Sequence, residues 1–339
     1  MVEQTRLPAD LREIDQHEFG MLAESHRREL RAHCYRMLGS VQEAEEMVQE
    51  TLLRAWNRRE TYEGRSTLRA WLYKIATNLC IDTLRQRPRR GLPITREDAS
   101  TLEKPIPASI NEPIWLEPYP DDLAAPADVN PEARYSKNES IRLAFLTSLH
   151  LLPPRQRAVL ILRDVLDWQA DEVAETLRQT IPTVKSALHR ARATLAKHYP
   201  TLNRENIAAR VTDDELRGQL ERYVQAWETA DVDGLVALLR DDSTFSMPPI
   251  PSWYRGRENI GGLVRKTIFA GQAGGRWRLL PTRANGQPGF GLYRLNDGGG
   301  YDGYGIQVLT FDGEQIADIT TFRNPALVTY FGLPSTLTT

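Results

Sequence analysis

The chain has 339 residues, with 43 Lys and Arg against 45 Asp and Glu, for a formal net charge of −2. This length allows two or three domains, and the mixed composition excludes a collagen-like, disulfide-stapled or wholly disordered chain. No apolar run reaches ~18 residues, so no membrane span is expected. The two cysteines, Cys34 and Cys80, fit neither metal-ligand spacing nor a disulfide framework, and read as reduced residues of a cytoplasmic protein.

The first twenty residues are acidic and lack an apolar core, so they do not read as a signal peptide. Residues 1–18 are expected to be a tail and 19–88 a helical module. "ELRAHCYRMLGS" places Leu30, Cys34, Met37 and Leu38 at helical spacing and ends at Gly39, a C-cap signal. "VQEAEEMVQETLLRAWNRR" keeps that period with Val41, Ala44, Val48, Leu52, Ala55 and Trp56. After the loop "TYEGRS" it resumes with Leu68, Trp71, Leu72, Ile75, Leu79 and Leu84, and Pro88 stops it.

Charge shifts along the chain. Residues 27–90 hold 14 Lys and Arg against 8 Asp and Glu; residues 97–139 hold 3 against 10. A basic block before an acidic one fits a polyanion-binding module joined to a separate linker. Residues 89–134 read as that acidic, Pro-rich linker. The island "IWLEPYP" inside it reads equally as a docking segment or as local collapse.

Residues 135–200 return to helical periodicity. "ADEVAETLRQTIPTVKSALHRARATL" gives a short helix, a turn and a longer helix, with Thr180 as N-cap and Pro182 in the first turn. Val173, Ala174, Leu177, Val184 and Leu188 make the small core of a helix-turn-helix, a geometry that inserts its second helix into the major groove. Thr183, Lys185, Ser186, His189 and Arg190 then face outward towards bases and phosphates, and Arg155, Arg192 and Lys197 can reach the DNA backbone. The competing reading is an amphipathic helix with a solvated basic face.

From about Asp213 two helices precede strand-like runs separated by Gly-rich turns: "STFSMPP", "WRLLPTRA", "FGLYRLN" and "YGIQVLTFDGEQIADITTF". Helices followed by an antiparallel sheet indicate an α+β domain.

Three ordered stretches resemble the extracytoplasmic-function group of bacterial sigma factors, the promoter-recognition subunits of RNA polymerase. "AEEMVQETLLRAW" resembles the family's polymerase-binding helix and "YEGRSTLRAWLYKIATNLCIDTLRQR" its −10 reader. "LPPRQRAVLILRDVLDWQADEVAETLRQTIPTVKSALHRAR" resembles its −35 reader. Glu46 stands where the family usually has Asp, and Arg178–Gln179 replaces a common Gly-containing turn. The remainder, about 213–334, resembles the cone-shaped α+β barrel of the SnoaL-like (NTF2-like) group. The implied fold class is therefore two all-α sigma modules, the second a helix-turn-helix, followed by an α+β barrel.

The resemblance implies partners and sites. Core RNA polymerase, through its β′ clamp and β subunits, would meet Glu45, Glu46, Gln49 and Glu50. The −10 DNA would meet Tyr62, Arg65, Ser66, Arg69, Lys74, Asn78 and Arg85, with Arg87, Arg89 and Arg90 as further phosphate contacts. Single-stranded DNA calls for a cationic groove with aromatic groups, although Trp71 reads first as core. The −35 DNA would meet Arg155, Thr183, Lys185, Ser186, His189, Arg190 and Arg192. No metal or nucleotide cofactor is implied.

The barrel has three readings: protein-contacting regulator, small-ligand sensor or enzyme. No His or Cys follows His198, and Asp242 and Asp312 read as structural, which favours the regulator. Asp318, with Trp253 and Tyr254, is the pocket candidate. Regulatory contacts are expected from the turn Asp297, Gly298, Gly299 and Gly300, and from Tyr330 and Phe331 in the apolar tail. The main competing class is a helix-turn-helix repressor with a ligand-binding or enzymatic barrel, which needs neither the acidic helix nor the aromatic-basic one.

Overall fold

A computed structural model of the chain describes residues 14–62, 64, 67–112, 114–123, 139–202, 213–271 and 274–338. They fall into two units. One takes the described residues within Met1–Arg89, Leu123–Ile141 and Ser148–Ala196; the other takes those within Arg90–Asp122, Arg142–Thr147 and Lys197–Thr339.

Local signals start and stop the helices of the first unit. α1 (Gln16–Glu24) opens on a capping box in which the Asp15 carboxylate accepts from the His17 and Glu18 N–H groups. α2 (Arg27–Leu38) ends at Gly39 in the left-handed region, φ 74°. α3 (Val41–Asn57) and α4 (Leu68–Arg85) are capped by Ser40 and Thr67, whose hydroxyls accept from the N–H groups of Glu43 and Ala70. Leu30, Cys34, Met37, Val48 and Leu72 are fully buried between these helices. Burying each such side chain stabilises by ~1.5–3 kcal/mol. Cys34 and Cys80 are free and buried, and burial raises the Cys80 thiol.

Further along the chain come α5 (Leu143–His150), α6 (Pro154–Leu160) with a π turn over Ile161–Val165, α7 (Ala170–Leu177) and α8 (Ile181–Leu202). Pro154 starts α6 in the first-turn position where a missing N–H is harmless. Arg178 closes α7 at φ 51°, ψ 53°. A left-handed arginine costs roughly 1–2 kcal/mol where glycine would be unstrained.

Arg157 of α6 is 1 % exposed. One guanidinium nitrogen donates to the Met37 carbonyl at the end of α2, and the other to the carbonyls of His150 (3.1 Å) and Leu152 (3.3 Å). Burial, and then the nearby Arg89, lower its pKa to about 9. Buried carbonyls lacking such a donor would each cost ~1–3 kcal/mol, so this cation ties the α6 turn to α2.

The second unit is the α+β domain. α9 (Asp213–Thr229), α10 (Val232–Ala237) and α11 (Arg257–Leu263) pack on a sheet of β1 (Leu239–Ser246), β2 (Trp253–Arg255), β3 (Trp277–Ala284), β4 (Gln287–Leu295), β5 (Tyr301–Asp312) and β6 (Gln315–Phe322). α12 (Pro325–Tyr330) and the short β7 (Thr336–Leu337) follow. Strand order is β2-β1-β6-β5-β4-β3, with β7 on β5. Tyr223, Trp227, Leu235 and Ile260 of the helices share one core with Phe245, Phe290, Leu292 and Ile319 of the strands.

Two sequence expectations are corrected here. The sheet is mixed: β1 pairs with β6 in parallel, Phe245 against Ile319. It is also an open path rather than a closed barrel. Hairpins force antiparallel neighbours, whereas β1 and β6 are joined by the whole intervening chain and are free to run parallel.

The stretch read as a linker differs as well: residues 90–122 belong to the second unit. "IWLEPYP" is a docking segment. Ile114, Trp115, Leu116 and Tyr119 are all under 8 % exposed. The Tyr119 N–H donates to Asn285 Oδ1 (2.9 Å) and the Asn285 N–H to the Tyr119 carbonyl (2.8 Å). Upstream, Trp253 Nε1 donates to the Glu97 carbonyl (2.8 Å), and the Ser100 N–H to the Trp253 carbonyl (2.7 Å). A Pro-rich, acidic composition argues against internal structure, but these contacts are supplied from more than 150 residues away.

Candidate functional site

On α3, the four polar residues expected on one face part company. Glu45 is half-buried and accepts from Arg27 (2.7 Å) and Arg31 (3.3 Å) of α2. Glu50 accepts from Arg54 (2.5 Å). Glu46 and Gln49 are exposed, and Glu46 accepts only a 3.2 Å bond from Gln42 one turn earlier. Gln42, Glu46, Gln49 and Leu53 follow the i, i+4, i+7, i+11 spacing of a single helix face. Leu53 is 55 % exposed, which is unusual for a leucine on a folded helix. Sequence reasoning missed it because it lies among apolar residues; its offset from the Val48–Leu52 stripe was the available signal.

The α4 residues are held by partners inside the unit. Arg69 donates to Glu29 (2.7 Å) and lies over the Tyr73 ring (4.9 Å). Burial alone would raise the Glu29 carboxyl, but His26 and Arg69 outweigh it and hold it below its ordinary value. Lys74 pairs with Glu175 of α7 at 3.2 Å. Asn78 Nδ2 donates to the Lys74 carbonyl (2.7 Å) and towards the Thr176 carbonyl (3.4 Å). Two residues expected to meet −10 DNA thus bond to the first helix of the helix-turn-helix while staying half-exposed.

Trp71 is half-buried, its ring 5.2 Å from that of Tyr62, and burial raises the Tyr62 hydroxyl. Arg65 and Ser66 lie outside the described residues. Arg85 is exposed, with only a 3.2 Å pair to Asp82. Arg87 pairs with Glu43 and Arg89 donates to the Leu151 carbonyl (3.3 Å). Arg90 is largely buried, 8 % exposed, and donates to the Trp115 carbonyl at 2.9 Å.

α8 behaves as its periodicity predicts. Val184, Leu188, Ala191 and Leu195 are buried, while Thr183, Lys185, Ser186, His189 and Arg190 are exposed. Thr180 caps the helix, its hydroxyl accepting from the Thr183 N–H (3.4 Å) and meeting the Thr183 hydroxyl (2.8 Å). Arg190 donates to Ser186 (2.7 Å), so the two side chains share one position on the outer face. Arg155 is exposed on α6. Arg192 is the exception: it forms a bidentate pair with Asp164, which is 2 % exposed. A buried carboxylate needs such a partner, so Arg192 anchors α8 to the preceding turn.

In the α+β domain, Asp297, Gly298, Gly299 and Gly300 form the β4–β5 turn. Asn296 Oδ1 accepts from the N–H groups of Gly298 (3.0 Å) and Gly300 (3.1 Å). A Cβ on Gly300 would lie 3.1 Å from the Leu337 carbonyl oxygen, so the backbone this glycine approaches is the domain's own tail. The apolar tail is likewise core rather than free surface: Phe331 is 8 % exposed and Val328 packs with Tyr293 and Tyr301. Tyr330 stays exposed.

Asp318 accepts from Thr244 and Thr320 on neighbouring strands, and it does not line the domain's cavity; neither do Trp253 and Tyr254. The cavity walls contain Trp227, Phe245, Trp277 and Tyr304, and no carboxylate, His or Cys. Among the described residues no cluster of His, Cys, Asp and Glu could hold a metal, and no helix is long and apolar enough to cross a membrane.

Three family models match the chain in order: Sigma-70 region 2 over residues 22–90, Sigma-70 region 4 over 142–195 and a SnoaL-like domain over 220–319. An ECF RNA polymerase sigma factor, SigG of Mycobacterium tuberculosis H37Rv, is 40 % identical over 332 residues, covering 98 % of this chain and 87 % of the relative. The ECF sigma factor SigW of Bacillus subtilis is 29 % identical over 183 residues, covering 54 % of this chain and 89 % of the relative. The crystal structure of the M. tuberculosis extracytoplasmic-function sigma factor SigJ is similar in fold, with a TM-score of 0.53 at 24 % identity. It covers 95 % of this chain and all of the other.

Proposed function

Because this chain belongs to the ECF RNA polymerase sigma factors, we propose a residue-level division of labour for promoter recognition in the cytoplasm. The outer face of α3, with Glu46, Gln49 and Leu53, meets the β′ clamp of core polymerase. The outer face of α8 reads the −35 element through Thr183, Lys185, Ser186, His189 and Arg190. What supports this is exposure: these five side chains remain open to solvent while Val184, Ala187, Leu188, Ala191 and Leu195 of the same helix are buried. Lys185→Ala and Arg190→Ala each weaken promoter binding by ~1–3 kcal/mol where they touch base edges, and lessen its salt dependence where they touch phosphate. Fluorescence anisotropy at several salt concentrations measures both effects. Unchanged binding in both variants would leave α8 as a solvated surface helix.

The α+β domain regulates rather than catalyses in this reading. Its grip on residues 90–122, the stretch between the two sigma regions, supports that role. A domain that holds the connector limits the arrangements the two readers can adopt, and Lys74 and Asn78 must leave α7 before they can meet DNA. Asn285→Gly keeps the left-handed backbone at φ 58° while deleting the acceptor for Tyr119. Combined with Trp253→Phe, which removes the donor to Glu97, it changes run-off transcription by core polymerase at least threefold. Output equal to that of the unaltered protein would rule out control through this connector.

A further inference from the structure

The α+β domain holds a half-open cavity of about 170 Å³. Trp227, Trp277 and Tyr304 form its aromatic wall: the Trp227 and Trp277 rings are 5.7 Å apart at 86°, and those of Trp277 and Tyr304 are 5.0 Å apart at 82°. Phe245, Met247 and Leu292 add apolar surface. Edge-on aromatic pairs are a favoured geometry, and a concave, mostly apolar space of this kind is the usual form of a small-ligand site.

The lining is polar at Thr267, Thr321 and three arginines, and its charge is of one sign. Arg276, Arg294 and Arg323 all border the cavity, and no carboxylate does. Five arginines elsewhere in this unit are neutralised, Arg240 by Asp242 and Asp312, Arg257 by Asp241, Arg265 by Asp233, Arg278 by Glu228 and Arg283 by Asp121. Among the described residues the exposed Arg222 and Arg255 are not, and they do not border this cavity. Among the described residues none of the three cavity arginines has an ion-pair partner. Arg323 is the most committed of them. Its guanidinium lies 5.2 Å from the centre of the Tyr304 ring, and its buried Nε has no hydrogen-bond partner among the described residues. A buried donor left unmade is costly, and three unpaired cations around an apolar chamber repel one another unless an anion joins them.

We propose that this cavity binds a small organic anion: an apolar body, aromatic or short aliphatic, carrying one carboxylate or phosphate head. The body lies against Trp227, Phe245 and Trp277, and the head is held by Arg276 and Arg323 with Arg294 at the outside. A cavity of roughly 150 Å³ accommodates a benzene ring, so the ligand is of the size of a phenyl-bearing acid rather than a steroid or a nucleotide. The ligand also touches the connector, because Ile106 is part of the cavity wall. Binding requires nothing of promoter recognition and is testable apart from it.

Isothermal titration calorimetry on the full-length protein, with 3-phenylpropanoate, phenyl phosphate and uncharged 3-phenylpropanol as probes, tests the assignment. At least one of the two anions is expected to bind ten times more tightly than the alcohol, and the tighter of them identifies the head group. The Arg276→Gln/Arg323→Gln variant loses that preference tenfold or more. Arg294→Gln, which alters only an exposed side chain, reduces affinity about threefold, and circular dichroism checks that both variants stay folded. Alcohol and anions binding equally, no probe binding, or an unchanged preference in the double variant would each overturn the proposal.

Discussion

Replacing Glu46 with Lys and Gln49 with Ala is expected to abolish co-purification with core RNA polymerase while the protein stays folded. Both side chains are exposed on α3, and among the described residues neither takes part in an ion pair. Reversing a charge that faces a basic surface turns attraction into repulsion, which costs several kcal/mol rather than the fraction lost with one rim contact. A loss of ~3 kcal/mol corresponds to more than a hundredfold in Kd. Glu45 and Glu50 make informative comparisons. Glu45 is engaged by Arg27 and Arg31, so Glu45→Ala acts on the fold of the unit. Glu50→Ala releases only Arg54 on the same helix and lowers affinity less than fivefold. Fluorescence-detected titration of core enzyme reads all of these. Wild-type affinity in the Glu46→Lys/Gln49→Ala protein would remove α3 from the polymerase interface.

Acid is expected to unfold the first unit through His33. The ring is fully buried, with Nε2 2.8 Å from the Thr77 hydroxyl and its centre 5.0 Å from that of Tyr73. Burial, then the positive charges of Arg36 and Arg69, depress its pKa from 6.5 to about 3, with only Glu29 opposing. The folded state therefore requires neutral imidazole, while the unfolded chain takes up a proton near pH 6.5. Stability from this group is fully present above pH 6.5 and is lost as pH falls towards 3, at up to ~1.4 kcal/mol per pH unit. By pH 5 the loss reaches about 2 kcal/mol, before most carboxylates titrate. His33→Gln keeps a side chain able to bond Thr77 but cannot be protonated in this range. Urea unfolding at pH 7 and pH 5 is expected to show a drop about 2 kcal/mol larger in the unaltered protein. Parallel losses in both proteins would mean that His33 does not control the acid limb.

Much of the local structure is determined by the sequence alone. The stops at Gly39, the caps at Thr67 and Thr180, the Pro182 start and the apolar stripe of α8 all depend on residues within one or two turns of each other, where side-chain chemistry acts through fixed helical spacing. The order and spacing of the sigma motifs are likewise linear, which is why the family is legible in the sequence. Tertiary structure decided which polar residues on those helices are free. Periodicity says that Glu45 and Glu46, or Arg190 and Arg192, face away from the stripe. It does not say that Arg27 of α2 reaches Glu45, or that buried Asp164 claims Arg192. The same holds for Lys74 and Asn78, whose partners on α7 lie about 100 residues away. The connector is the extreme case. "IWLEPYP" has no period to read, and its order comes from Asn285, a left-handed turn residue between β3 and β4. Even the parallel pairing of β1 with β6 joins strands about 70 residues apart. Long-range contacts cost loop-closure entropy that grows only slowly with separation, so distance in the chain does not prevent them, and nothing local announces them.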